Sequence, residues 1–141
     1  MKKLVLTASA ITSLAISQLS FAAYPEKSIR LVVPFATGGT SEIVARSVAN
    51  SLSTSLGQSV YVDNKPGGAG NIAMEEVKRA NPDGYTLILG HVGTLAVNPA
   101  LFGSKLPYDP NKDFAPVTLV AKVPNVIAVS SKSSFKTLAD L

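Results

Sequence analysis

The 141-residue chain contains no cysteine and no tryptophan, and it has a single histidine, His91. Without cysteine it lacks the disulfide framework of many small secreted domains, so its stability must come from a hydrophobic core. A metal site that needs two histidine ligands is likewise excluded from this chain. Because the sequence contains no G-x-S-x-G motif, the nucleophile elbow of the α/β-hydrolases has no support either.

Lysine and arginine are dispersed along the chain, with no basic run, so a nucleic-acid-binding surface has little support. The N-terminus has a distinct pattern, in which Lys2 and Lys3 precede a mostly apolar stretch that ends at the small-x-small sequence Ser20-Phe21-Ala22. We expect residues 1–22 to be a cleaved secretory signal peptide, because the apolar stretch is too short to favour an uncleaved membrane anchor. The exported chain then has eleven Lys and Arg against nine Asp and Glu, a net charge of +2.

From residue 29 onward, strand-like and helix-like patterns alternate. The stretches "IRLVVPF", "QSVYVDN" and "YTLILG" predict buried strands, because they are apolar and rich in β-branched or aromatic residues. Helices are predicted from a cap at Thr40 or Ser41 to a stop at Gly57, over residues 71–80, and over residues 93–101. This order predicts an α/β fold, with a mostly parallel sheet flanked by helices.

The C-terminal part begins with a polar, proline-rich loop, "KLPYDPNKDF", in which Asp109 and Asp113 are expected to be solvated. Two further strands are predicted at "APVTLVAKV" and "NVIAVSS". Ser133 or Ser134 is expected to cap a helix in "SFKTLADL", where the sequence ends without a stop signal.

Three of the strand-to-helix connections are rich in glycine: loop 1 (residues 35–40), loop 2 (residues 64–71) and loop 3 (residues 90–94). In a parallel sheet such connections gather at the carboxyl edge of the strands, where ligands bind. Glycine allows close approach to the backbone, and the first N–H groups of a helix have no intrahelical acceptor. Loops 1 and 3 contain no lysine or arginine, which favours anion binding through amides. The alternative is that Gly38 and Gly39 only form a tight turn.

The segment "GAGNIA", residues 68–73, matches the dinucleotide-binding pattern G-x-G-x-x-A. However, the polar segment Asp63-Asn64-Lys65-Pro66 separates it from the apolar part of the preceding strand, and the next strand ends in Gly90-His91, with no acidic residue to contact a ribose. An α/β enzyme or enzyme fragment that binds a nucleotide or a phosphorylated substrate is therefore the weaker alternative. A small protein-interaction module is a third possibility.

Several blocks of the sequence, in order, resemble the Bug-type (TctC) receptors of tripartite tricarboxylate transporters. These blocks are "YPEKSIRLVVPFATGGTSEIVAR", "VDNKPGGAGNIA", "PDGYTLILG", "LAVNPALF", "LPYDPNKDFAPVTLVAKVPNVIAV" and "LADL". The resemblance implies a type 2 periplasmic binding protein fold, in which two α/β lobes close over a small organic carboxylate. It also implies a periplasmic location, transfer of the ligand to a membrane permease, no cofactor and no enzymatic activity.

Positions that match the family's ligand-binding loops are Phe35, Gly38, Gly39 and Thr40 in loop 1, Asn71 in loop 2, and His91, Gly93 and Thr94 in loop 3. His91 stands where the family often has a small hydroxyl residue. The family's members are more than twice as long as this chain. The resemblance therefore implies an incomplete first lobe at residues 23–131 and the start of the crossover into a missing second lobe at residues 132–141. We expect such a fragment, which a partial or decayed gene could encode, to bind weakly or not at all.

Overall fold

The computed structural model of the chain describes residues 24–124 and 126–140, so the expected signal peptide lies outside the described residues. Its main elements are β1 (Ile29–Val33), α1 (Thr40–Leu56), β2 (Val60–Asn64), α2 (Asn71–Lys78), β3 (Thr86–Ile88) and α3 (Asn98–Phe102). A π-helical turn at Gly93–Val97 leads into α3, and 3-10 turns lie at Gly68–Gly70, Gly103–Lys105 and Leu138–Asp140. The order of strands and helices is the one predicted up to residue 102.

The sheet has three parallel strands in the order β2-β1-β3. In the central strand, Ile29 lies opposite Val60 of β2, and Leu31 lies opposite Leu87 of β3. Residues on both faces of β1 are buried, since Ile29, Val32 and Val33 are at most 1% exposed. This burial explains why the strand is apolar at consecutive positions rather than at alternate ones. The predicted α/β fold with a parallel sheet is confirmed.

Helix α1 packs its small residues against the sheet: Ala45 and Ala49 are buried in one cluster with residues of β1 and β2. The helix begins at Thr40, and Gly39 is its N-cap in an extended conformation, without a side-chain capping bond. The prediction that Thr40 or Ser41 caps the helix is therefore wrong, because Thr40 is already helical. At the other end, Gly57 adopts the left-handed conformation predicted for a stop signal, and its N–H donates to Ser53 O at 3.1 Å.

A charged cluster fixes α2 to the sheet. Arg30 of β1 donates to Asp63 of β2 and to Glu76 of α2, each at 2.5 Å. The Arg30 side chain is 23% exposed, so these ion pairs are partly shielded from water. The hydrogen bond to Glu76 raises the pKa of Arg30, against the opposing effect of burial. One guanidinium thus joins β1 and β2 to the helix that follows loop 2.

The C-terminal part differs from the sequence prediction. The strands predicted at "APVTLVAKV" and "NVIAVSS" are absent from residues 115–124 and 126–131, and apolar side chains there are open to water, with Val117 84% and Val126 86% exposed. These residues have high β-propensity, but a strand forms only where a neighbouring strand accepts its hydrogen bonds.

The helix predicted after Ser133 or Ser134 is also absent from residues 133–140. The Ser133 hydroxyl accepts the N–H of Phe135 in a local turn, and a 3-10 turn follows at Leu138–Asp140. The Asp140 carboxylate accepts the N–H groups of Lys136 and Thr137. Serine and aspartate side chains that bond to nearby amides in this way compete with helix formation.

Candidate functional site

Loops 1, 2 and 3 meet at Gly70, a buried residue with a φ of +87°. A Cβ atom at this position would lie 2.6 Å from Thr94 Cγ2 and 3.3 Å from Pro34 Cβ. Pro34 immediately precedes loop 1, Gly70 belongs to loop 2 and Thr94 ends loop 3. The three connections therefore converge at one edge of the sheet, and glycine is required where they touch. The sequence had marked Gly70 only as part of a glycine-rich loop.

Side chains tie loop 1 to its two neighbours. Asn64, at the end of β2, donates its Nδ2 group to the carbonyl oxygen of Phe35 at 2.9 Å. The Phe35 ring packs edge-on against the His91 ring, with their centroids 5.2 Å apart. Phe35 and His91, two of the residues expected at the site, therefore stand next to each other above the carboxyl end of the sheet.

A buried polar network joins loop 2 to loop 3. Asn98 Nδ2 donates to Asn71 Oδ1 at 2.7 Å and to Ala69 O at 3.0 Å. The Tyr108 hydroxyl donates to the carbonyl oxygen of Thr94 at 2.6 Å, and it lies 3.2 Å from Asn71 Oδ1. The expected site residue Asn71 therefore uses its side-chain oxygen to hold two loops together.

The sequence did not single out Asn98 or Tyr108. Tyr108 falls in the polar loop before residue 115, yet it is only 4% exposed, and burial raises the pKa of its hydroxyl. The sequence signal that could have indicated this role is a tyrosine in an otherwise polar, proline-rich loop. A tyrosine ring is readily buried when its hydroxyl has a hydrogen-bond partner. The same loop bonds to α2, where Lys78 pairs with Asp113 at 2.8 Å.

An internal carboxylate occupies one amide of loop 1. Glu42, in the first turn of α1, accepts the N–H of Gly38 on its Oε2 atom at 2.5 Å. Its Oε1 atom accepts two hydrogen bonds from Arg46, one turn further along, and the residue is only 8% exposed. The Gly38 N–H and then Arg46 lower the pKa of this carboxyl, so it is ionised at neutral pH. Glutamate three residues after the N-cap is the sequence signal for such a contact.

The next amides along the chain are left without acceptors. Among residues 24–124 and 126–140, no group accepts a hydrogen bond from the N–H groups of Gly39, Thr40 or Ser41. Loop 1 is exposed from residue 36 to residue 40. Only the Ala36 oxygen, at 3.9 Å, comes near the position of a Cβ atom on Gly39. These three amides point from the positive end of a 17-residue helix, which is suited to binding a negatively charged group.

Loop 3 uses several of its polar groups to hold its own shape. The N–H of Gly93 donates to Nδ1 of His91 at 3.0 Å, which places the proton of the neutral imidazole on Nε2. Thr94 is fully buried, and its hydroxyl donates to His91 O at 3.1 Å. His91 itself is exposed. The binding roles expected for Gly93 and Thr94 stay predictions.

A metal site has no support in the described part of the chain. No group of three or more His, Asp or Glu residues in it could hold a metal ion.

A surface groove lies between α2, α3 and the loop that contains Tyr108, and none of its lining residues belongs to loops 1, 2 or 3. Within the described residues, no helix has the length and apolar character needed to cross a membrane.

Comparison with known proteins identifies the family. The model of the tripartite tricarboxylate transporter family receptor matches residues 44–141, which is more than half of the chain. The chain belongs to this receptor family. The family consists of solute-binding receptors and is not an enzyme family, so the nucleotide-binding enzyme proposed as the weaker alternative loses its basis.

Curated relatives of this receptor family align along most of the chain. A UPF0065 protein of Bordetella bronchiseptica is 39% identical over 137 residues, which is 97% of this chain and 41% of the relative. BugT of Bordetella pertussis is 38% identical over 116 residues, which is 82% of this chain and 35% of the relative. The chain thus spans about two fifths or less of the length of these curated relatives.

Solved receptor structures show the same fold. Rpa4515 of R. palustris, solved with adipate, has a TM-score of 0.76 and 42% identity over 84% of this chain and 39% of its own. MatC of Rhodopseudomonas palustris, solved with bound malate, has a TM-score of 0.66 and 43% identity over 69% of this chain and 33% of its own. The predicted periplasmic binding protein fold and the Bug-type resemblance are confirmed.

Proposed function

We propose that this chain forms the carboxylate-binding part of a solute receptor that serves a tripartite tricarboxylate-type transporter. The observation that carries the proposal is the set of N–H groups of Gly39, Thr40 and Ser41, which have no acceptor among the described residues and lie at the start of α1. Relatives of known structure hold adipate or malate, so small dicarboxylates are the ligand class that we assign to this site.

Binding of a carboxylate at this position follows from simple electrostatics. Its two oxygens accept hydrogen bonds from adjacent amides, and the positive end of the helix dipole stabilises the negative charge. Each hydrogen bond to a charged group contributes about 1.5–3 kcal/mol when the site excludes water. The receptor makes no covalent bond with its ligand, needs no cofactor and does not act as an enzyme.

The remaining candidate residues surround these amides in our proposal. Phe35 and His91 provide an aromatic wall, and His91 offers its Nε2–H to a second polar group of the ligand. Asn71 accepts a hydrogen bond from the Asn98 side chain on its Oδ1 atom, and it presents its Nδ2 group towards the cleft. Residues 23–131 belong to a first lobe, and residues 132–141 begin the crossover to a second lobe that closes over the ligand.

The location and the partners of the receptor follow from the same proposal. A signal peptide at residues 1–22 directs it to the periplasm, where it collects the carboxylate and delivers it to the permease subunits of the transporter. The periplasmic location is supported by a solved structure described as a periplasmic transporter, which is 55% identical over 68% of this chain and 32% of its own.

A thermal-shift screen tests the proposed function. If the genomic reading frame continues beyond residue 141, the longer protein is expressed and screened against dicarboxylates and nucleotides. A ligand at 100 times its dissociation constant stabilises the folded state by about 2.7 kcal/mol, which raises Tm by several degrees. We expect malate or adipate to raise Tm. A response to nucleotides alone would overturn the receptor proposal.

Substitution of Gly39 by valine tests the role of loop 1 in that protein. The φ of Gly39 is −89°, and a Cβ atom there has only the Ala36 oxygen nearby, at 3.9 Å, so valine fits without strain. Its branched side chain blocks approach to the neighbouring amides, so carboxylate binding should be lost while the fold is retained. Ser55→Val, on the exposed last turn of α1, is the matched control and should bind normally. Unchanged affinity in Gly39→Val would mean that loop 1 is only a turn.

A further inference from the structure

Glu42 is an unusual neighbour for an anion site, because it brings a negative charge to the loop that we propose binds a carboxylate. The residue is 8% exposed, and its carboxylate accepts the N–H of Gly38 at 2.5 Å. Consecutive Cα atoms are 3.8 Å apart, so this carboxylate lies within about two peptide units of the amides of Gly39 and Thr40. Loop 1 therefore holds its own anion before any ligand arrives.

The Glu42 carboxylate reduces the number of backbone N–H groups in loop 1 that a ligand can use. Phosphate sites at helix N-termini use a run of consecutive amides from a glycine-rich loop, and the Gly38 N–H would belong to such a run. Glu42 occupies that N–H, which leaves the amides of Gly39, Thr40 and Ser41 without acceptors among the described residues. Three adjacent amides suffice for the two oxygens of a carboxylate, but they serve the four oxygens of phosphate or sulfate poorly.

The internal carboxylate also makes a compact dianion unfavourable. Arg46 neutralises Glu42 only in part, because the Arg46 side chain is 58% exposed and screened by water. A tetrahedral dianion places two negative charges at the amides, whereas a dicarboxylate places one there and carries the other at its far end. One additional unit charge at roughly 6 Å in a water-like dielectric weakens binding by about threefold, and by more in a partly desolvated site.

From these two effects we infer that Glu42 makes loop 1 selective for carboxylates over phosphate and sulfate, by occupying the Gly38 amide and by repelling compact dianions. This inference rests on the proposed function, since it assigns the specificity of that same site. Glu42 does not contact the ligand in this account. It positions the loop and sets the local charge.

The test compares malate with sulfate, because both carry two negative charges in total and differ in how compactly they hold them. Dissociation constants are measured at fixed ionic strength from the amide shifts of residues 39–41 in the 15N-labelled longer protein, the one used in the thermal-shift screen. The quantity of interest is the ratio of the sulfate constant to the malate constant. We compare wild type, Glu42→Gln, Arg46→Gln and the matched control Glu75→Gln. The control also removes a carboxylate that pairs with an arginine one turn further along its helix, since Glu75 of α2 pairs with Arg79.

We expect malate to bind more tightly than sulfate in wild type. Glu42→Gln should lower the ratio about threefold or more, because glutamine still accepts the Gly38 N–H but removes the charge. Arg46→Gln should raise the ratio, because the Glu42 charge loses its neutralising partner, and this variant decides the question if Glu42→Gln does not fold. Glu75→Gln should leave the ratio unchanged.

An unchanged ratio in Glu42→Gln, with malate still bound at residues 39–41, would overturn the inference and leave the proposed function standing. The same holds if wild type binds sulfate as tightly as malate. If malate shifts none of these amides in the wild-type longer protein, the proposed function fails, and the inference falls with it.

Discussion

Replacement of Gly70 by alanine tests whether the three loops converge as the structure shows. Gly70 has a φ of +87°, a region that an L-residue enters at a cost of about 1–2 kcal/mol. The added Cβ atom would also lie 2.6 Å from Thr94 Cγ2 and 3.3 Å from Pro34 Cβ, contacts too short to be relieved without moving a loop. Overpacking of this kind costs about 1–3 kcal/mol. We therefore expect Gly70→Ala to lower the free energy of unfolding by about 2–5 kcal/mol.

A second substitution separates the backbone strain from the steric contact. Thr94→Ser removes the Cγ2 methyl group that meets the new Cβ atom, and alone it costs about 1 kcal/mol for the lost methyl contacts. In the double variant, the contact between loops 2 and 3 is relieved while the strain at residue 70 stays. The two substitutions should thus show a favourable coupling of about 1 kcal/mol or more.

Urea unfolding followed by circular dichroism measures these differences. Gly57→Ala is the matched control, because Gly57 also has a positive φ, +66°, but nothing lies within 4 Å of its added Cβ atom. The control should lose only the strain cost of about 1–2 kcal/mol. If Gly70→Ala is no more destabilising than Gly57→Ala, or if Thr94→Ser restores nothing, loops 2 and 3 do not meet at Gly70 and the site as described is wrong.

Three further predictions concern the groups that hold the site in place. Arg30→Met leaves Asp63 and Glu76 with only their longer contacts to Lys65 and should cost about 1–3 kcal/mol in urea unfolding. Arg79→Met, in an exposed pair, should cost less than about 0.5 kcal/mol. Tyr108→Phe leaves a buried carbonyl of loop 3 unpaired and should cost about 1–2 kcal/mol, so an unchanged unfolding midpoint would exclude that hydrogen bond. The lowered pKa of Glu42 in the folded state means that its contribution to stability is complete above the ordinary glutamate value. The contribution should decrease as pH falls towards the folded pKa, and a side-chain 13C titration with an unshifted midpoint would contradict this.

The parts of the fold that the sequence predicted well are those fixed by local patterns. The apolar run at Ile29–Val33, the glycine that ends α1 and the glycine-rich connections each have a local physical cause, and all appear in the structure. The predicted strands at residues 115–123 and 125–131 depend instead on pairing with other segments. Their β-branched residues indicate a preference for extended backbone but do not specify a partner, so the exposed state of Val117 and Val126 could not be anticipated.

Within the candidate site, the sequence predicted that the loops meet but not how their polar groups are shared. The position of Gly38 suggested a ligand-binding amide, whereas in the structure Glu42 occupies its N–H. Likewise, the side-chain oxygen of Asn71 is used by Asn98, a residue 27 positions away in sequence. Such pairings depend on three-dimensional distance and burial, which a local pattern does not contain. The glutamate in the first turn of α1, in contrast, carried a local signal for its role.

The most direct test of this account is a 1H–15N NMR titration, with malate, of the longer protein used in the thermal-shift screen. If the amides at the start of α1 hold the carboxylate, the N–H resonances of Gly39, Thr40 and Ser41 should move together and saturate. In the same titration, the Gly38 resonance should move less, because Glu42 already accepts its N–H. Saturable shifts confined to other parts of the chain, with residues 39–41 unaffected, would contradict the account.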